Sequence, residues 1–237
     1  MRRMHNAMST PRQRSPLRAA SFAVAAALMA SVLGVSPAAA QTGGAPAHAP
    51  AQIDFKSEAA SQDARQMAQW ILDAGNNHNL SFMIVDKKEA KVFMFDPGGR
   101  LLGASAVLLG AAIGDDSAPG IGERKLSSIL PGERTTPAGR FVAALDHNIG
   151  GKDILWIDYA NAISLHRVVT GNAQERRTQR LASSPTSDNR ISYGCINVPP
   201  KFFDKVVMPA FHQTNGIVYI LPETRPIAAV FAGFGSR

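Results

Sequence analysis

The sequence contains one cysteine in 237 residues, which excludes a disulfide within the chain and, with no close histidine pair, a structural zinc site. Aromatic residues are scarce at 7%. A nucleic-acid surface needs a basic patch interleaved with aromatics, and the largest basic cluster, Arg176-Arg177 with Arg180, is too small for one. It reads as a solvated helix face. The first forty residues lack acids altogether: they carry Arg2, Arg3, Arg12, Arg14 and Arg18, run apolar from Ala19 to Val35, and end Pro37-Ala38-Ala39-Ala40. This is the three-part pattern of a secretory signal peptide cleaved after Ala40. The apolar run, roughly seventeen residues and largely alanine, is short for a membrane anchor. Without those five of the 25 basic residues, 20 bases face 18 acids, and the net charge falls from +7 to +2. No cysteine follows the apolar run, so a lipidated N-terminal cysteine is excluded. The mature chain is expected to be exported without stable membrane insertion, and the alanine-rich signal suggests a Gram-negative periplasm.

The remaining sequence has the composition of an ordinary globular protein, with 45% hydrophobic residues over the whole chain. Residues 41–56, rich in Ala, Pro and Gly at first, read as a flexible tether. Residues 57–80 hold an amphipathic helix over Ser57 to Gly75, with Ala60, Ala64, Met67, Ile71 and Ala74 on one face and Gly75 ending it. From Ser81 the pattern becomes short runs rich in Val, Ile and Phe. Phe82 to Val85 and Val92 to Phe95 flank a charged turn, Asp86-Lys87-Lys88-Glu89, and Leu101 to Leu109 continues an antiparallel meander. Further strands are predicted at Ile154 to Tyr159, Ala162 to Val169 and Gly216 to Leu221. Short helices are predicted at Glu175 to Ala182 and from Pro199-Pro200 to about His212. Many short strands with few helices predict a mainly β fold, a sandwich or barrel-like domain over 81–224, followed by a tail over 225–237.

The lone cysteine, Cys195, has two uses open to it, burial or chemistry. Gly194 lets the backbone approach a substrate closely, and a helix starting near Pro199 would turn its positive end toward the sulfur. Both favour a thiolate, and a nearby imidazole is the usual means of producing one near neutral pH. Of six histidines, His5 and His48 precede the domain, while His78, His147 and His212 fall in polar or terminal positions. His166 alone sits in a strand-like run, Ile163-Ser164-Leu165-His166-Arg167-Val168, from which β pairing could bring it to the cysteine segment.

Thr136-Pro137-Ala138-Gly139-Arg140-Phe141, then His166, then Ser192-Tyr193-Gly194-Cys195-Ile196-Asn197, in this order behind a signal peptide, resemble the L,D-transpeptidase (YkuD-type) catalytic domain. The similarity runs from about Phe82 to Leu221. It implies a β-sandwich or barrel-like catalytic domain and acyl transfer on peptidoglycan stem peptides, used as donor and acceptor in cross-linking or attachment to the cell wall. In that family a cysteine attacks the carbonyl between the third stem residue and a terminal D-amino acid, and a second amine resolves the thioester. The resemblance makes Cys195 the nucleophile and His166 the base, and calls for no metal or organic cofactor. Gly194, Ser192 and Tyr193 fall at oxyanion or positioning places. Asn197 and Arg190 are candidates for substrate binding.

The chain departs from the family twice. The motif commonly has histidine where this chain has Tyr193, and the interval from His166 to Ser192 is longer than usual, enough for a lid over 170–190. Two other functions stay open: hydrolysis of the same thioester, giving a peptidoglycan carboxypeptidase, endopeptidase or amidase, and wall binding without catalysis, which Tyr193 motivates.

Overall fold

The computed structural model describes residues 53–236. The expected signal segment, 1–40, and residues 41–52 of the expected tether lie outside the described residues.

The first helix, α1 (Gln62–Asp73), starts later than its apolar pattern suggests, because Ser61 adopts an extended conformation and caps it by accepting from the Ala64 amide at 3.0 Å. Gly75, at φ +59°, ends it: its amide donates to the Leu72 carbonyl and that of Asn76 to the Ile71 carbonyl, a Schellman arrangement that needs the left-handed residue. Ala64, Met67, Ala68 and Ile71 form the buried face.

Ten strands follow: β1 (Phe82–Asp86), β2 (Lys91–Phe95), β3 (Leu101–Ala106), β4 (Leu109–Gly110), β5 (Gly139–His147), β6 (Asp153–Asp158), β7 (Ile163–Arg167), β8 (Arg190–Ser192), β9 (Ile196–Val198) and β10 (Gly216–Ile220). Eight of them form one sheet in the order β3-β2-β1-β10-β5-β6-β7-β9, and β4 pairs separately with β8. The expected run Leu101 to Leu109 is therefore two strands. After β3 the chain leaves its partner, and Leu108 exchanges backbone hydrogen bonds with Asn197 at 2.8 and 2.9 Å. That bridge ties the segment following one edge strand to the opposite edge strand, so the sheet nearly closes on itself. The protein is mainly β and barrel-like.

Strands β1, β2 and β10 are buried on both faces, which explains their unbroken apolar runs. Met83, Val85, Val218 and Ile220 point into the inner core, and Phe82, Ile84, Ile217 and Tyr219 pack under α1. The inner core is closed by a helical segment made of α3 (Pro200–Phe202), a π-helical turn (Phe203–Val207) and α4 (Met208–Phe211), which buries Phe202, Phe203, Val207 and Phe211. Pro209 stands two residues after the π turn, and its missing amide breaks the regular bonding ladder. Residues after 224 pack on α1: Ile227 and Phe231 join the outer core, and the Trp70 indole donates to the Gly233 carbonyl at 3.1 Å. Phe55, near the end of the expected tether, is buried against Phe93 and Phe95.

The charged turn between β1 and β2 is less exposed than its composition suggests. Lys87 is 1% exposed and its ammonium reaches the Gly114 carbonyl at 2.6 Å, and the Asp115 carboxylate and Thr136 carbonyl at 2.8 Å. Glu223 lies 3.4 Å from the same ammonium and pairs with Arg190, so two bases and two acids cluster around the buried Lys87–Asp115 pair. Among the described residues, no helix is long and apolar enough to cross a membrane.

Candidate active site

Parallel pairing of β7 with β9 sets Leu165 against Ile196, His166 against Asn197 and Arg167 against Val198. Leu165 and Ile196 belong to the inner core, so strand alternation turns Ser164, His166 and Asn197 to the other face. Cys195, partly buried, sits just before β9 and beside that face. The pairing is the physical means by which two residues remote in sequence come together.

The Ser164 hydroxyl donates to the Cys195 sulfur at 3.6 Å, and the sulfur lies 3.5 Å from the Ala162 carbonyl. His166 Nδ1 is 2.8 Å from the Arg167 carbonyl, and a carbonyl can only accept. Nδ1 therefore carries the proton in the neutral ring, leaving Nε2 to exchange one with the cysteine. Arg167 is itself held: its guanidinium donates to Asp204 at 2.7 Å and stacks over Phe203. The group orienting the imidazole is thus a clamped backbone carbonyl in place of a carboxylate.

Burial opposes ionisation of the Cys195 thiol, but the hydrogen bond and charge of His166, aided by Ser164, outweigh it and hold the thiol below its ordinary pKa. Burial likewise opposes charging His166, while the hydrogen bond and negative charge offered by Cys195, with the Arg167 carbonyl, bring it above the usual imidazole value. Both shifts favour the charged forms, the thiolate of Cys195 and the imidazolium of His166.

The loop before the cysteine is fixed by Ser192 of its own segment and by Thr136 of the Thr136–Phe141 segment. The Ser192 hydroxyl donates to the Cys195 carbonyl at 2.6 Å and accepts from the Gly194 amide at 3.0 Å. Thr136, fully buried, donates to the Gly194 carbonyl at 2.8 Å and accepts from the Gly110 amide at 2.8 Å. Gly194 has φ +129°, and a Cβ there would come within 2.7 Å of the Thr135 carbonyl oxygen, so no other residue fits. An oxyanion needs a backbone amide free to donate, and that of Gly194 is taken by Ser192. The Cys195 amide has no protein acceptor among the described residues.

Of the remaining candidates, Arg190 falls outside the site, while Asn197 and Tyr193 lie beside it. Arg190, expected to meet substrate, instead pairs with Glu223 and donates to the Lys87 carbonyl at 3.0 Å, inside the buried charge network. Asn197, also expected to meet substrate, is 1% exposed and acts inward. Its Oδ1 accepts from Arg177 at 2.7 Å, which orients its amide nitrogen toward the Cys195 carbonyl and His166 Nε2, each at 3.4 Å. Tyr193 lies under the Arg134 guanidinium, 4.1 Å from its ring centroid.

Sequence reasoning missed Ser164 and Arg134, and read Arg177 as part of a solvated helix face, whereas its side chain is mostly buried and bonds Asn197. Ser164 was findable, because it stands two residues before His166 in a strand and must share its face. Arg177 and Arg134 carry no local signal. The interval between His166 and Ser192 forms a 3-10 turn (Ala173–Glu175), α2 (Arg177–Leu181) and a second 3-10 turn (Thr186–Asn189). Its ties to the site run through the Arg177–Asn197 bond. Among the described residues, no group of three or more His, Cys, Asp or Glu side chains is placed to hold a metal ion.

The sequence matches no protein-family model and no curated protein. Among solved structures, the chain is similar to the helical cell shape determining protein Pgp2 of Campylobacter jejuni (13% identity, 70% of this chain and 58% of that one, TM-score 0.42). It is also similar to the L,D-transpeptidase of Enterococcus faecium (14%, 60% and 49%, TM-score 0.33) and to that of Xylanimonas cellulosilytica (17%, 64% and 68%, TM-score 0.36). The chain spans less than two thirds of the first two.

Proposed function

We propose that this protein is an exported cysteine acyltransferase acting on peptidoglycan stem peptides, an L,D-transpeptidase working through a thioester on Cys195, with residues 1–40 directing export to the periplasm. The observation that carries this reading is the convergence of Cys195, Ser164 and His166, with the imidazole oriented through Nδ1 by the Arg167 carbonyl. The motif resemblance supplies the substrate class.

In this reading the Cys195 thiolate attacks the carbonyl carbon before the terminal D-amino acid, forming the C–S bond as the carbonyl electron pair moves to oxygen. The Cys195 amide donates to that oxyanion. Collapse of the intermediate breaks the C–N bond, and His166 Nε2 gives its proton to the departing amine. An acceptor amine then attacks the thioester, His166 takes its proton, and the C–S bond breaks to restore the thiolate.

The test is incubation of the mature protein, and of Cys195→Ala, with disaccharide-tetrapeptide fragments, followed by mass spectrometry. Acyl-enzyme on Cys195 together with cross-linked or exchanged products supports the proposal. Cleaved fragments alone would make the enzyme a hydrolase, and unmodified fragments with both proteins would overturn the catalytic reading.

A further inference from the structure

Among the described residues, one buried side-chain polar atom lacks a hydrogen-bond partner, Arg134 Nε. The rest of that guanidinium is also poorly satisfied. Nη2 makes a long bond, 3.3 Å, to the Ile129 carbonyl, and no carboxylate among the described residues pairs with it. The adjacent acid, Glu133, is committed to Arg124 through bonds of 2.9 and 2.8 Å. The guanidinium carbon lies 4.1 Å from the centroid of the Tyr193 ring, a cation–π contact that attracts the charge but offers Nε no oxygen or nitrogen acceptor. The contact places the group without neutralising it. It leaves a half-buried positive charge without a counterion, an arrangement that costs free energy unless an anion arrives from outside.

Its location says which anion. Tyr193, the ring beneath Arg134, is two residues from Cys195, and the carbonyl of Thr135, next to Arg134, packs against Gly194. The guanidinium is therefore attached to the loop that carries the nucleophile, on the side formed by residues 134–136. The planar fork of arginine matches a carboxylate.

We infer that Arg134, held on the ring of Tyr193, is a specificity residue that binds a free carboxylate of the peptide presented to Cys195. This rests on the proposed acyl-transfer reading for the identity of the peptide, and adds what the site selects. Tyr193 then has a defined part, since it is the platform that fixes the guanidinium. Two carboxylates flanking the bond that Cys195 would attack have the required chemistry, the C-terminal one and the one on the side chain of a diamino-acid residue.

Binding measured in the inert Cys195→Ala background separates this inference from catalysis. Titration calorimetry would use a stem tetrapeptide with both carboxylates free, one amidated at the C-terminus, and one amidated at the diamino-acid side chain. Adding Arg134→Gln is expected to weaken binding of the free peptide on the order of ten- to a hundredfold, the worth of a charged hydrogen bond. The same change should have little effect on whichever amidated peptide lacks the carboxylate read. Tyr193→Phe, which keeps the ring, should bind like the parent, and Tyr193→Leu should resemble Arg134→Gln. Thermal unfolding of each variant reports on folding. The inference is overturned if Arg134→Gln weakens all three peptides equally or none of them. It is also overturned if, with Cys195 intact, the main effect of Arg134→Gln is to shift the pH midpoint of thiol alkylation, which would make Arg134 a partner of the thiolate.

Discussion

Replacing Thr136 by valine removes one hydroxyl and adds a methyl of similar size, so the change isolates the two hydrogen bonds that join the turn before β5 to the cysteine loop. Thr136 is fully buried, as are Gly110 and Gly194. The Thr136 hydroxyl accepts from the Gly110 amide and donates to the Gly194 carbonyl, both at 2.8 Å. In the valine variant an amide and a carbonyl are left buried without partners. Each costs about 1–3 kcal/mol, so the pair predicts a loss of about 2–6 kcal/mol. For a domain of this size, about 2–4 °C per kcal/mol converts that loss to a fall in Tm of roughly 4–24 °C. Thr136→Ser keeps the hydroxyl and gives up only a methyl, worth about 1 kcal/mol. The assay is thermal or urea unfolding of both variants alongside the rate of Cys195 alkylation by iodoacetamide. Serine should retain the parent alkylation rate and valine should change it, because the carbonyl of Gly194 immediately precedes the nucleophile. Equal stability of the two variants, or a valine variant within about 0.5 kcal/mol of the parent, would refute the bridging role.

Two further outcomes test the electrostatics. Because the Cys195 thiol is held below its ordinary pKa by His166, alkylation should reach its plateau at lower pH in the parent than in His166→Gln, where the midpoint moves up toward the free-cysteine value of about 8.5; coincident profiles would remove the pairing. The ion pair has two limits, lost as pH falls through the lowered thiol pKa and as it rises through the raised imidazole pKa, so acyl transfer should follow a bell-shaped profile. Asp115 is buried, a setting that opposes its charge, but hydrogen bonds from Lys87, from the Thr224 hydroxyl and from the amides of Glu223 and Thr224 hold it far below the usual carboxylate range. Its stabilising contribution is complete above the unfolded carboxylate pKa, about 4, and is lost as pH falls below it. Asp115→Asn should cost about 3–5 kcal/mol at neutral pH by leaving Lys87 short of a countercharge, and the difference from the parent should shrink in acid. Urea unfolding at pH 7 and pH 3 measures both, and a difference that does not change with pH would contradict the assignment.

Features that depend on near neighbours along the chain are legible in the amino-acid sequence itself. The unbroken apolar runs of β1, β2 and β10, the glycine that ends α1, and the prolines opening α3 are written in local periodicity and backbone preference. So is the strand around His166, because alternation over five residues suffices to place it. Even Ser164 follows from that alternation. The assembly of the site is different, since its bonds span long separations: 31 residues from Ser164 to Cys195, 58 from Thr136 to Gly194 and 103 from Lys87 to Arg190. Such pairings depend on sheet order and register, which a local pattern does not encode. Arginine shows the consequence most directly. Arg190 stands in the motif region and is drawn into a buried pair by Glu223, while Arg134 and Arg177 give no sequence signal and lie against Tyr193 and Asn197. By itself the sequence determined which residues have reactive chemistry and which segments are strands. Tertiary structure decided which charges meet, because a long, flexible, charged side chain takes its partner from whatever the fold brings within reach.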